Sequence, residues 1–99
     1  MQYLLSDGYG VNASVAKGVG IEISRQNGEP LKLLGSELIV GGGRAAGWYP
    51  VLEDSTSNGT ANGVTNYSKQ LSATLKALPN KTPTAGRVAA TAQVIIKVQ

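Results

Sequence analysis

The sequence predicts an all-β, antiparallel fold of the sandwich type, and three observations carry that prediction. In Val19-Gly20-Ile21-Glu22-Ile23-Ser24 the apolar residues Val19, Ile21 and Ile23 alternate with small or polar ones. From Tyr67 to Ala77, Leu71, Ala73, Leu75 and Ala77 fall on one side, with Ser72, Thr74 and Lys76 on the other. From Val88 onward, Val88, Ala90, Ala92, Val94, Ile96 and Val98 alternate with Ala89, Thr91, Gln93, Ile95, Lys97 and Gln99. Side chains of a strand point to opposite faces with a period of two, so each segment presents one apolar face to a core. No segment shows a helical period framed by caps. Leu71, Leu75 and Leu78 do fit helical spacing, so a helix over Ser68 to Leu78 stays open beside the strand reading.

Taken in chain order, the first strand ends at Gln26-Asn27-Gly28-Glu29, where Asn-Gly supplies the positive φ values of a tight hairpin. Pro30-Leu31-Lys32-Leu33 leads back, with Pro30 at a strand start or an edge because it donates no ladder hydrogen bond. A short apolar segment, Glu37-Leu38-Ile39-Val40, stops at Gly41-Gly42-Gly43. From there to about Val64 the chain reads as a long loop rich in Gly, Ser, Thr and Asn. Trp48-Tyr49-Pro50-Val51-Leu52 is an apolar island within it, and Glu53 to Gly63 an exposed loop or hairpin tip. Leu78 to Gly86 connects the last two strands through Pro, Thr and Gly.

Composition removes several classes of function. The chain has 99 residues, 41% hydrophobic and 15% charged, which suits one folded domain rather than a disordered tail. No apolar run approaches the roughly 20 residues that cross a bilayer as a helix, so no membrane-spanning segment is expected. The start of the chain shows neither the basic nor the long apolar region of a signal peptide. With no Cys and no His, zinc sites, thiol nucleophiles and imidazole bases are not expected. The net charge is +3, but the basic residues are scattered singly and no aromatic sits in a basic run, so nucleic acid is not an expected partner.

The remaining chemical candidates are weak. Gly41-Gly42-Gly43-Arg44-Ala45-Ala46-Gly47 lacks the Gly-Lys-Ser/Thr triplet of a P-loop, and Trp48-Tyr49-Pro50 bars the helix that a dinucleotide fingerprint needs. Glu53-Asp54 is the one close carboxylate pair, and it lies in a polar loop rather than across a cleft. Asn-x-Ser/Thr at Asn12, Asn58, Asn66 and Asn80 follows from a composition rich in those residues. Neither an enzyme nor a cofactor or metal is expected. Trp48 and Tyr49 form a candidate ligand loop, or else one ring plugs an open end of the sandwich.

Three motifs, in order, carry a family resemblance. Ala16-Lys17-Gly18-Val19-Gly20-Ile21-Glu22-Ile23 is followed by Asn27-Gly28 and Pro30-Leu31. Leu71-Ser72-Ala73-Thr74-Leu75-Lys76-Ala77 precedes Thr82-Pro83-Thr84-Ala85-Gly86. An alternating Ala/Thr/Val segment then closes the chain. Together these resemble the C-terminal portion of fimbrial subunits of the chaperone–usher type, over residues 13–99. Two departures stand out: Val98 replaces the usual penultimate Tyr, and the loop over 41–64 is longer than in shaft subunits, as in tip subunits or adhesin pilin domains.

The resemblance implies an incomplete immunoglobulin-like sandwich lacking its final strand. It implies a donor-strand groove lined by Val88, Ala90, Ala92, Val94, Ile96 and Val98, floored by Leu71, Ala73, Leu75, Val19, Ile21 and Ile23, with Gly86 as the turn glycine. A periplasmic chaperone, anchoring the carboxylate of Gln99, and then a neighbouring subunit would donate the missing strand at an outer-membrane usher. The product would be an extracellular fimbria mediating adhesion to a host-surface receptor. The length then reads as one pilin-type domain over 1–99 whose front portion, with its disulfide, lies upstream. A free-standing β-sandwich that binds ligand through Trp48 and Tyr49 is the alternative.

Overall fold

Strand β1, Val19–Arg25, is the spine of the molecule and lies between two neighbours. The computed structural model describes residues 2–35 and 43–96; the expected apolar segment Glu37 to Val40, and Val98 and Gln99, lie outside the described residues. On one side β1 pairs antiparallel with β4, Leu71–Ala77, setting Val19 opposite Ala77, Ile21 opposite Leu75 and Ile23 opposite Ala73. On its other side the Leu4 and Ile21 amides each donate to the other's carbonyl at 2.8 Å, and the Leu31 amide donates to Ile23 at 2.8 Å. Both edges of β1 are therefore engaged, which makes it a central strand. The second sheet is the hairpin of β2, Thr56–Ala61, and β3, Val64–Ser68.

Four strands in two antiparallel sheets, with one 3-10 turn at Gly43–Ala46 and no α-helix among the described residues, make an all-β architecture consistent with an incomplete immunoglobulin-like sandwich. The incompleteness is quantitative. The chain exposes 7200 Å², whereas a compact protein of 10.2 kDa exposes about 5300 Å². Its radius of gyration is 16.5 Å, against about 13 Å for a closed domain of this length. Among the described residues only Val15 and Ala16 are buried hydrophobics.

Of the three Asn-Gly dipeptides, Asn27-Gly28 and Asn62-Gly63 make two different turns. At Asn27-Gly28 only the glycine has positive φ (88°); the Gly28 amide donates to Arg25 at 2.9 Å and the Arg25 amide to Glu29 at 2.9 Å. That is a three-residue loop closed by a glycine bulge, not the two-residue turn expected from the dipeptide. At Asn62-Gly63 both residues have positive φ, 53° and 77°, and Ala61 pairs directly with Val64, so the two-residue turn forms there. It converts the second half of the expected loop over 41–64 into structure. It also cuts the expected strand from Tyr67 to Ala77 in two: Tyr67 belongs to the hairpin, and β4 begins after Lys69-Gln70. The open choice of helix or strand over Ser68 to Leu78 resolves as strand.

Two further expectations are corrected. The segment from Val88 is not a strand over the described residues: Arg87 bridges Val15, and the Asp7 amide donates to Ala89 at 2.7 Å, but no hydrogen bond engages residues 91–96. Alternation prepares a face, whereas a strand also needs a neighbour to receive its backbone groups. Over residues 91–96 no such neighbour lies alongside among the described residues. On β1 itself, Val19, Ile21 and Ile23 are half-buried, while Gly20, Glu22 and Ser24 on the opposite face are buried. A side chain at Gly20 would meet Leu78 at 2.9 Å and Tyr3 at 3.0 Å, so this second face is the covered one. Glu22, 5% exposed, is matched there by Lys76 at 2.9 Å. The hydrogen bond and charge of Glu22 hold the Lys76 ammonium above its ordinary pKa.

Candidate functional site

The register of β1 on β4 assembles one apolar face. Cross-strand neighbours on a face lie close enough for their side chains to touch, so Val19, Ile21, Ile23, Leu71, Ala73, Leu75 and Ala77 form a continuous surface. It is not covered. Leu71 is 49% and Leu75 58% exposed, values at odds with the placement of leucines in a finished core. The edges differ as well. The Leu78 amide donates to the Gly18 carbonyl at 2.8 Å, which continues the ladder and fixes its phase. The backbone groups of Ser72, Thr74 and Lys76 therefore face β1, while those of Leu71, Ala73 and Leu75 point to an edge that pairs with nothing among the described residues. The residues with the exposed side chains also own the unpaired backbone.

The C-terminal segment carries the second half of the expected groove. Val88 and Ala90 are half-buried, Ala92 is exposed, and Val94 and Ile96 are 78% and 66% exposed. Its start is held firmly. The Ala16 amide donates to Arg87 and the Arg87 amide to Ser14, both at 3.0 Å, and the hydroxyl of Ser6 accepts from the Ala89 amide at 3.0 Å. Gly86 sits where a Cβ would fall 2.8 Å from Ala16 Cα and from the carbonyl carbon of Val15. It permits the close backbone approach that launches the segment. The structure thus brings the six floor residues together, anchors the C-terminal segment at 87–89, and leaves residues 91–96 unpaired among the described residues.

Trp48 and Tyr49 are half-buried. The Tyr49 hydroxyl accepts from the Lys32 amide at 2.9 Å, and the guanidinium of Arg44 lies 5.2 Å from its ring centroid. The ring therefore fastens its loop to the strand return.

Sequence reasoning missed the cluster beside it. Arg25, at the end of β1 and 8% exposed, donates to Glu53 at 2.7 Å, lies 3.1 Å from Asp54 and also pairs with Glu29, while Arg44 pairs with Glu53. The sequence offered Glu53-Asp54 as a close carboxylate pair but gave no sign of its cationic partners. The Arg44 and Arg25 hydrogen bonds hold the Glu53 carboxyl below its ordinary pKa against the opposing effect of burial. A depressed carboxylate contributes stability above its unfolded pKa and loses it as pH falls through the folded value. Acid is therefore expected to release this loop below the ordinary glutamate range, as read by Trp48 fluorescence. Glu53→Gln should abolish that transition.

Among the described residues no group of acidic, His or Cys side chains is placed to hold a metal, and no helix is long and apolar enough to cross a membrane. A shallow, open depression of about 310 Å³ lies by Gln26, Asn27, Asp54, Ser55 and Thr56. A family model described as fimbrial protein matches residues 1–99, reaching upstream of the motifs over residues 13–99. No curated protein and no solved structure matches the chain.

Proposed function

Because this chain belongs to the fimbrial protein family, we propose that it is a subunit completed by donor-strand complementation, working in an adhesive bacterial fimbria. The family places it in an extracellular surface appendage, in association with other fimbrial subunits, and is structural rather than enzymatic. One observation carries the finer reading: an uncovered apolar face and an unpaired strand edge occur together with an alternating segment that has no partner. An added strand answers all three deficits, since backbone bonds satisfy the free groups and alternate side chains fill the apolar surface.

In this reading Val88, Ala90, Ala92, Val94, Ile96 and Val98 join the floor of Leu71, Ala73, Leu75, Val19, Ile21 and Ile23 once a donor lies between them. A periplasmic chaperone and the usher serve first, because an open apolar edge aggregates if left bare. The Trp48 and Tyr49 loop is the less favoured site for a ligand, given how Tyr49 is used.

Leu75→Lys tests this assignment. Leu75 is 58% exposed, so the isolated chain should fold with nearly unchanged stability. Uptake of a strand peptide should fall by two orders of magnitude or more, since about 2–3 kcal/mol of burial is lost and a charge faces the groove. Peptide affinity equal to that of the parent chain would refute the floor.

A further inference from the structure

The β2–β3 hairpin stands apart from the site just described. Every residue of both strands is exposed, and neither strand packs against β1 or β4. Residues 55–68 contain no charged side chain, the longest such run in the chain. Its base is nevertheless firmly held: Glu53 and Asp54 engage Arg25 just before β2, and the Lys69 ammonium donates to the Pro50 carbonyl at 3.4 Å just after β3. A two-stranded ribbon is marginal in water and gains stability from further strands. This one is tethered at its base and lacks the charges that normally protect an exposed edge.

The two edges are not alike. Pairing slips by one residue between Ser57 and Thr60, and Gly59 there has φ 93°, so β2 carries a bulge that twists its edge away from a partner. β3 is regular. The two-residue turn makes Ala61 and Val64 exchange hydrogen bonds, which turns the backbone groups of Thr65 and Tyr67 outward.

We infer that the β3 edge is a self-pairing site, at which the hairpins of two copies of this chain join β3 to β3 into a four-stranded antiparallel sheet. An isologous pairing centred on Asn66 sets Thr65 opposite Tyr67 of the second copy, and again by symmetry, giving two β-branched–aromatic pairs on one face. The absence of charge means that two identical edges meet without repulsion. The contact is independent of the apolar groove, so subunits completed by a donor strand still make it, and it joins fimbriae side by side.

The chain has no cysteine, so Asn66→Cys introduces a single thiol at the expected two-fold axis. Opposed residues of an antiparallel pair lie within disulfide reach. Under copper–phenanthroline oxidation the full-length variant should form a disulfide dimer at least about tenfold faster than Asn58→Cys on the bulged strand, through the raised local concentration. Adding Tyr67→Lys should remove that advantage, and saturation of the apolar groove with a strand peptide should leave it intact. Equal rates for the two thiols would overturn the proposal. So would loss of cross-linking when the groove is filled, since the contact would then belong to the apolar face.

Discussion

Replacing Gly86 by valine is expected to remove more than half of the chain's stability, whereas Ala85→Val beside it, at an exposed position, should stay within about 0.5 kcal/mol of the parent. Any Cβ at residue 86 collides with the Ala16 amide and comes within 2.8 Å of two further backbone atoms, so no side-chain rotation relieves it. Relief requires separating residues 84–87 from residues 14–17. That separation breaks the Ala16-to-Arg87 and Arg87-to-Ser14 hydrogen bonds, and with them the Thr84 amide's bond to Lys17 at 2.9 Å. It also opens the packing of Val15 and Ala16, the buried hydrophobic residues. Overpacking costs about 1–3 kcal/mol even where side chains can yield. Here the clash is with backbone and hydrogen bonds are lost as well, so about 3 kcal/mol or more is expected, against a total stability of about 5 kcal/mol. Thermal unfolding by circular dichroism reads this directly: the Tm of Gly86→Val should fall by roughly 12–24 °C or more below the parent, and that of Ala85→Val by only a few degrees.

Much of this architecture was legible in the sequence, for reasons that differ by element. The faces of β1 and β4 could be read because alternation is local, and their register follows once the two apolar faces are matched. Asn62-Gly63 is also a turn signal, yet it sits in a polar stretch where neither strand has an apolar face, so only an exposed loop or hairpin tip could be read there. The Arg25 cluster was invisible, because Glu53 and Asp54 reach Arg25 only through the fold. The burial of Glu22 rather than Ile21 reverses the ordinary reading of alternation, because Tyr3, Leu78 and the Lys76 ion pair cover the polar face. The segment from Val88 has the most regular alternation in the chain and forms no ladder over the described residues 88–96, because periodicity describes side chains and says nothing of a backbone partner.

That last discrepancy leads to the other large expected effect, stabilisation by an added strand. A peptide alternating valine or isoleucine with threonine offers an apolar face to Leu71, Leu75, Val94 and Ile96, each about half exposed or more. Complete burial of one such side chain is worth about 1.5–3 kcal/mol, offset by the entropy of ordering peptide and segment. At a concentration a hundredfold above its dissociation constant, the peptide stabilises the folded chain by about 2.7 kcal/mol. For a chain of this size that raises Tm by roughly 10–20 °C. A scrambled peptide of the same composition, with the alternation destroyed, should give no shift.

Amide hydrogen exchange, residue by residue and with and without this peptide, is the most direct test of the claim that residues 88–96 form a strand only when a donor completes the sheet. In the isolated chain the amides of residues 91–96 should exchange at nearly unprotected rates, while those of Ile21 and Leu78 are slow. With peptide bound, alternate amides over residues 91–96 should become slow, and the Tm should rise in parallel. Protection over residues 91–96 before any peptide is added, or free exchange there at saturating peptide, would contradict it.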